Sequence, residues 1–186
     1  MSTVAVEKTF TPEELLTLGN DRGFELVNGR LVEKSMGAEA SLVGINVATG
    51  LRSHVRKDRQ GLVFGSECGY QIFADDPNRI RKPDVSFVRR GRLPDDRPPR
   101  GYIRIPPDFL LEVVSPNDIA EDIHGRLVSF LRAGVSLVWV AYPATKTVLV
   151  FRADGTAALR SVSDELSGED VIPGFSCRVE DVFADL

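Results

Sequence analysis

The sequence is poor in the residues that bind zinc or form disulfides. Among its 186 residues are two cysteines, Cys68 and Cys177, and two histidines, His54 and His124. The cysteines stand far apart and form no paired motif, and two histidines are few for a zinc site of the ordinary type. Such a site and a disulfide framework are therefore disfavoured, and a reducing cytosol is the simplest location.

Long apolar runs are absent as well. No stretch of about 18 apolar residues exists, so the sequence predicts no membrane-spanning helix. The N-terminus "MSTVAVEKTF" lacks the charged start and apolar stretch of a secretory signal. We therefore expect a cytoplasmic protein that does not enter the membrane. Its length, 42% apolar content and 27% charged content predict one globular domain over residues 1–186.

The charge of the chain is unevenly distributed. The net charge of −4 argues against a general nucleic-acid binder. The segment 79–104, however, holds nine Lys or Arg against three Asp, an excess of six positive charges. It is either a solvated arginine-rich loop or a surface that contacts nucleic-acid phosphates. In the second case the contacting residues would be Arg79, Arg81, Lys82, Arg89, Arg90 and Arg92.

The first part of the chain carries three local folding signals. "TPEELL" predicts a short helix with a capping box between Thr11 and Glu14. "FELVNGRLVEK" predicts a hairpin, because Asn28-Gly29 favours a type I′ turn. Residues 38–57 have helical spacing, with their apolar side chains roughly on one side. These apolar positions are Leu42, Ile45, Val47, Leu51 and Val55.

The rest of the chain alternates strands and helices. "GLVFGSECGYQIF" predicts one bent or two short strands, "PDVSFV" a strand, and residues 91–107 a proline-rich irregular loop. "FLLEVV" is apolar enough for a central strand covered on both faces. A helix follows from about 118 to 133, then the paired strands "SLVWVAYP" and "TVLVFR", then a last strand and short helix. This order predicts an α/β (α+β) fold, with a mixed central sheet flanked by helices.

A carboxylate stands inside the predicted central strand. An ionised Glu112 in an apolar environment is costly unless something compensates it. It could pair with a buried Arg or Lys, reach solvent at the strand end, or bind a cation. Asp84 alone has a simpler interpretation, since Pro-Asp before a strand is an ordinary entry turn.

The two acids together favour a metal site. Adjacent strands can bring two side chains within about 5 Å on one face. Two carboxylates that close repel each other, and a divalent cation relieves the repulsion. Carboxylates and the backbone carbonyl of Val113 are hard oxygen ligands, which suit Mg²⁺ or Mn²⁺. With phosphate contacts from the basic segment, the pattern indicates metal-assisted phosphodiester hydrolysis.

Several of these segments resemble a known group of nucleases. Pro83-Asp84, the Glu112-Val113-Val114 strand and the helix after it resemble the PD-(D/E)XK nuclease superfamily. From about residue 10 to the C-terminus the chain is similar to the Uma-type restriction endonuclease-like family. The matching segments are "FELVNGRLVE", "RKPDVSFV", "GRLP", "FLLEVVSPND", "RAGVSLVWVAYP", "TVLVFRADG" and "VIPGF".

The resemblance implies an αβββαβ core and a Mg²⁺-dependent endonuclease that acts on DNA. Asp84 and Glu112 take the positions of the metal ligands. The motif lysine is replaced by Val114, and the helix position where this family often has a lysine is Arg126. Since one site cuts one strand, a two-fold homodimer is the economical way to cut both.

Arg126 and Glu25 each have two interpretations. Arg126 either stabilises charge on the phosphate, since it cannot act as a base, or forms a surface pair with Asp122 one turn earlier. Glu25, at a motif position of the family, either completes the acidic cluster or braces the hairpin. Glu39 and Glu67 are weaker candidates for the acidic cluster.

Two departures from the family pattern favour other hypotheses. Ala40 stands where relatives often have a histidine, and arginine replaces the lysine at position 126. A catalytically weak nuclease-fold protein that binds DNA or another protein is therefore the alternative. A third hypothesis is an unrelated small α/β enzyme that uses Asp84 and Glu112 as acid and base.

Overall fold

The computed structural model of the protein describes residues 8–18, 23–34 and 37–186. Four α-helices and ten β-strands lie within these ranges. The helices are α1 (Pro12–Thr17), α2 (Ala38–Lys57), α3 (Ala120–Arg132) and α4 (Val179–Val182). The strands are β1 (Phe24–Val27), β2 (Arg30–Glu33), β3 (Gly61–Gly65), β4 (Val85–Arg89), β5 (Phe109–Val113), β6 (Leu137–Tyr142), β7 (Thr147–Arg152), β8 (Ala157–Arg160), β9 (Glu165–Ser167) and β10 (Ser176–Arg178).

Six strands form the central sheet, in the order β3-β4-β5-β6-β7-β8. Strands β5 and β6 are parallel and α3 connects them, whereas the other neighbours are antiparallel. The run from α2 through β3, β4, β5 and α3 to β6 is the expected αβββαβ core. The pairs β1-β2 and β9-β10 lie outside this sheet. The predicted mixed sheet flanked by helices is thus confirmed.

Both faces of β5 are buried, which explains its continuous apolar pattern. Phe109 and Leu111 pack in one core cluster with the buried face of α2. Leu110 packs in a second cluster with Leu127 and Phe130 of α3. Because side chains alternate along a strand, Glu112 lies on the same face as Leu110, the face that α3 covers.

The local signals before α2 act as predicted. The Thr11 hydroxyl accepts a hydrogen bond from the Glu14 N–H, and the Glu14 carboxylate accepts one from the Thr11 N–H. Asn28 and Gly29 have φ angles of 50° and 74°, as a type I′ turn requires. The hairpin therefore forms with Phe24 opposite Glu33.

Two expectations are wrong in detail. Ile45 of α2 is 58% exposed, and Val43, which was not among the predicted positions, faces the core beside Val47. The C-terminal part has three strands, β8, β9 and β10, where one was expected. The extra strands are only three or four residues long, too short for a clear alternation pattern. Within the described ranges no helix has both the length and the apolar character needed to cross a membrane.

Candidate active site

The register of β4 and β5 brings Asp84 and Glu112 together. Val85 pairs with Leu111 at the end of the β4-β5 register, and Asp84 and Glu112 are the next residues of the two chain segments. The Asp84 N–H donates to the Leu111 carbonyl at 3.1 Å, and the Val113 N–H donates to Asp84 Oδ2 at 2.7 Å. Through the Val113 N–H, the Asp84 carboxylate contacts the residue next to Glu112. The two acids therefore lie close together where β4 begins and β5 ends.

The buried environment of Glu112 perturbs its ionisation. Its side chain is only 12% exposed. Burial raises its pKa to about 7; Arg126 opposes the shift, and the negative charge of Asp84 adds to it. The ionised form of Glu112 is therefore disfavoured mainly by its loss of hydration, and a divalent cation would stabilise that form.

Arg126 reaches the acids from α3. Its Nη2 lies 3.2 Å and 3.1 Å from Oε1 and Oε2 of Glu112, and 3.2 Å from Oε1 of Glu25. Burial lowers the pKa of Arg126, but the neighbouring carboxylates outweigh burial and raise it. Its ion pairs among the described residues do not include Asp122. The guanidinium thus lies between two carboxylates rather than on the outer surface of α3.

Glu25 connects the hairpin to the same cluster. Its side chain, 1% exposed, accepts from Arg81 Nη1 at 2.7 Å and from the Lys82 N–H at 2.7 Å. Burial raises its pKa, but Arg126, Arg81 and the hydrogen bonds outweigh burial and lower it. Glu25 is therefore an ionised anchor that both braces β1 and holds Arg126.

Sequence reasoning missed one residue of the cluster, Lys34. Its Nζ lies 2.7 Å from Asp84 Oδ1 and 2.7 Å from the Lys82 carbonyl oxygen, and its side chain is 6% exposed. The Lys34 N–H donates to the Gly23 carbonyl, which keeps it beside the first strand of the hairpin. The available signal was its place one residue after β2, on the hairpin that carries Glu25.

A cleft of about 1060 Å³ opens between the hairpin and α3. Lys34, Arg81, Glu112 and Arg126 all line it. Apolar side chains of the hairpin and of α3 form other parts of the wall, and four acids complete the lining. These residues are Phe24, Val27, Val32 and Ile123, with Glu33, Asp118, Glu121 and Asp122.

The oxygen donors of the cluster fit a two-carboxylate metal site. Since the Val113 N–H points towards Asp84, its carbonyl points to the same side of β5. Mg²⁺ is commonly held by one or two carboxylates, with water and phosphate oxygens as the remaining ligands. No group of three or more His, Cys, Asp or Glu suited to a metal occurs among the residues the structure describes. The fit therefore depends on Asp84, Glu112 and one backbone carbonyl.

The predicted nucleic-acid residues do not form a single surface. Arg81 and Lys82 belong to the acidic cluster, where Lys82 Nζ lies 3.3 Å from Glu67 Oε2. Arg79 instead forms ion pairs with Asp75 and Asp76.

Arg89, Arg90 and Arg92 lie at the far end of β4 from Asp84. Five residues of strand separate the two ends by about 17 Å. Arg89 donates to two backbone carbonyls, those of residues 170 and 171, while Arg90 pairs with Asp96 and Arg92 with Asp108. The structure therefore does not bring these three arginines to the acids, and their contact with DNA stays a prediction.

Comparison with known protein families also relates this chain to nucleases. Residues 12–180 match a family model described as "Uma2: Putative restriction endonuclease". The chain belongs to this family. The resemblance inferred from Asp84 and the Glu112 strand is thereby confirmed. No curated protein matches the chain.

The fold of this family member is also found in a solved structure. It is similar to the crystal structure of a "putative nuclease belonging to DUF820" from Anabaena variabilis, with a TM-score of 0.75. The identity is 21%, and the match covers 94% of this chain and 97% of the other. At this identity the likeness establishes the fold.

The remaining candidates lie at the edge of the cluster or outside it. Glu67 enters through Lys82, whereas Glu39 lies exposed in the first turn of α2. Ala40 is buried in the core cluster of α2. A histidine at position 40 would have to fit among those apolar side chains.

Proposed function

We propose that this protein is a divalent-metal-dependent endonuclease that hydrolyses phosphodiester bonds of DNA. The observation that carries the proposal is the approach of Asp84, just before β4, to Glu112 of β5, beside a cleft that Glu112 and Arg126 line. Membership of a restriction endonuclease-like family supports the same reaction class.

Asp84, Glu112 and the Val113 carbonyl would hold Mg²⁺ or Mn²⁺. When bound, the metal would supply Lewis-acid activation of the phosphate and an activated water. Arg126 would donate hydrogen bonds to phosphate oxygens as negative charge develops on them. It stays protonated, so it cannot accept the proton of the attacking water. Glu25 would act through Arg126 and is a positioning residue.

Metal-dependent cleavage of plasmid and single-stranded DNA tests this proposal. We expect nicking or linearisation that rises with Mg²⁺ or Mn²⁺ and disappears in Asp84→Asn. Asp58→Asn is the matched control, because Asp58 is an exposed aspartate beyond the end of α2. Calorimetric titration with Mn²⁺ should show binding to the wild type and to the control, but not to Asp84→Asn. Equal Mn²⁺ affinity in all three proteins would remove the metal assignment.

A second candidate function is supported by the ion pairs in the site. Lys34 and Arg126 already neutralise much of the charge of Asp84 and Glu112 without a metal. This arrangement suits a nuclease-fold protein that binds DNA or another protein and does not cleave. Absence of cleavage with every divalent metal, combined with retained DNA binding, would favour it.

A homodimer is the proposed assembly for cutting both strands of a duplex. The support is economy, because two copies related by a two-fold axis present two sites to two strands. Light scattering after size-exclusion chromatography, with and without a DNA duplex, tests it. A monomer that only nicks one strand would argue against the dimer.

A further inference from the structure

We propose that Lys34 is a second cationic residue of the active site, whose ammonium group binds the reacting phosphate beside Arg126. The inference rests on the proposed nuclease function. Val114 stands at the position of the motif lysine and carries no charge. The β1-β2 hairpin instead places the ammonium group of Lys34 next to Asp84.

The position of Lys34 is unusual for a lysine. Lysine is almost never buried unless it is paired, and here the side chain is 6% exposed. Two of its contacts, to Asp84 Oδ1 and to the Lys82 carbonyl, fix the ammonium at one place. The bond from the Lys34 N–H to the Gly23 carbonyl holds the backbone from which the side chain extends. The charge is therefore held before any ligand arrives, as electrostatic stabilisation of a reacting group requires.

Lys34 has a hydrogen-bond donor to spare. An ammonium carries three N–H groups, and only two have acceptors among residues 8–18, 23–34 and 37–186. Lys34 also lines the cleft. Arg126, which lines the same cleft, makes its hydrogen bonds to the described carboxylates from Nη2, which leaves Nη1 as a comparable group. Two cations with unused donors in one cleft match a ligand that is anionic and rich in acceptor oxygens, such as a phosphodiester.

The charges of the site support the same ligand. The acids Glu25, Asp84 and Glu112 are balanced by Lys34, Arg81 and Arg126, while Lys82 has Glu67 beside it. A divalent cation would then leave this inner group with about two positive charges, while Glu33, Asp118, Glu121 and Asp122 line other parts of the cleft. A phosphodiester under attack by hydroxide carries about two negative charges, so the loaded site would match the transition state rather than the acids alone.

A purely structural ion pair between Lys34 and Asp84 is the competing explanation. Both explanations predict lower stability when the pair is broken, because a buried carboxylate loses its partner. Only the proposed role predicts that a loss of cleavage accompanies intact metal binding. Metal binding and cleavage must therefore be measured on the same variants.

The test uses three substitutions at position 34. Lys34→Met removes the charge and the donors, Lys34→Gln keeps a donor without charge, and Lys34→Arg keeps the charge. Lys57→Met is the matched control, since Lys57 is exposed at the end of α2. Each variant is compared with wild type for plasmid cleavage at saturating Mn²⁺, for Mn²⁺ affinity by calorimetry, and for folding by circular dichroism.

We expect Lys34→Met to lose about 100- to 1,000-fold in cleavage rate, the usual effect of removing one such donor. Lys34→Gln should also lose activity, because its amide donor carries no charge. Their Mn²⁺ affinity should be retained or increased, because a positive charge beside the two carboxylates has gone. Lys34→Arg should keep more activity than Lys34→Gln, and Lys57→Met should behave as wild type.

Each other outcome overturns the proposal in a distinguishable way. Wild-type cleavage by Lys34→Gln makes Lys34 a structural residue and leaves the nuclease function intact. Equal activity of Lys34→Gln and Lys34→Arg, in the event that Lys34→Met does not fold, has the same meaning. Loss of Mn²⁺ binding in Lys34→Gln assigns Lys34 to building the metal site. A wild type that cleaves no nucleic acid removes the proposed function and this inference together.

Discussion

At the scale of single residues, Glu112 shows how a fold can hold a charge that its environment disfavours. The apolar strand supplies the burial that raises its pKa, and Arg126 supplies only part of the compensation. The result of this arrangement is a carboxylate beside Asp84 that gains from a divalent cation. The free-energy cost of ionising the buried Glu112 should lower the stability of the metal-free protein.

The stability of the metal-free protein should depend on pH through Glu112. Its pKa is about 7 in the fold against an ordinary 4.5, so the folded state prefers the protonated form. The stability it contributes is complete below pH 4.5 and is lost as pH rises to about 7. Glu112→Gln mimics the protonated form and should not show this loss.

Urea unfolding of both proteins at pH 5, 6, 7 and 8 measures the effect. The free energy of unfolding of Glu112→Gln, relative to that of wild type, should increase from pH 5 to 7. Above pH 7 the difference between the two proteins should stay constant. A difference that does not change with pH would mean that Glu112 is ionised throughout, with Arg126 as a sufficient partner.

Arg126 offers a second test at the residue scale. Its guanidinium contacts both Glu112 and Glu25, so Arg126→Ala should lose about 100- to 1,000-fold in cleavage while it still binds Mn²⁺. Arg126→Lys keeps one cation and should retain or raise the activity. Arg132→Ala gives the control, because Arg132 is an exposed arginine in the last turn of α3 outside the cleft, and it should cleave like wild type.

Two results would contradict this role of Arg126. If Arg126→Ala cleaves normally, the contacts to Glu112 and Glu25 are structural. If wild type is inactive and Arg126→Lys becomes active, the protein is a nuclease scaffold that lost its chemistry at this position.

At the scale of elements, the site depends on three pieces that approach one another from different parts of the chain. The residue before β4 and the end of β5 supply the acids, Asp84 and Glu112. α3 follows β5 directly, and its second turn therefore passes above the end of that strand with Arg126. The hairpin supplies Glu25 and Lys34, and its docking depends on the bonds of Glu25 to Arg81 and Lys82.

This division explains what the sequence could predict. The capping box of Thr11, the Asn28-Gly29 turn and the alternation of strands are local, so the elements followed from short patterns. The pairing of Asp84 with Glu112 followed from two adjacent strands. Lys34 could not be placed, because its partner Asp84 lies fifty residues away in the sequence. The sequence pattern also does not determine where the β1-β2 hairpin docks against the central sheet. The exposed Ile45 shows the same limit, since helical spacing alone does not say which face a sheet will cover.

At the scale of the whole molecule, the basic segment 79–104 does not form one continuous surface in the structure. Arg81 and Lys82 enter the acidic cluster, whereas Arg89 and Arg90 line a separate cavity of about 440 Å³ together with Arg56 and Arg59. The single-domain prediction for residues 1–186 and the cytoplasmic location stay predictions. A duplex that reaches both basic regions would have to span about 17 Å, or about five base pairs at 3.4 Å each.

The salt dependence of DNA binding tests whether the molecule uses both regions. Affinity for a 20-base-pair duplex, measured by fluorescence anisotropy with Asp84→Asn to prevent cleavage, should fall steeply with salt. Replacing Arg89, Arg90 and Arg92 by Gln should reduce the slope of log affinity against log salt by about one for each phosphate that is no longer neutralised. Arg132→Gln, on the last turn of α3, is the control that changes charge elsewhere.

If the slope of the triple variant equals that of the control, the ion pairs with Asp96 and Asp108 already satisfy these arginines. DNA would then be held by the cleft alone, where Lys34 and Arg126 offer the unused donors.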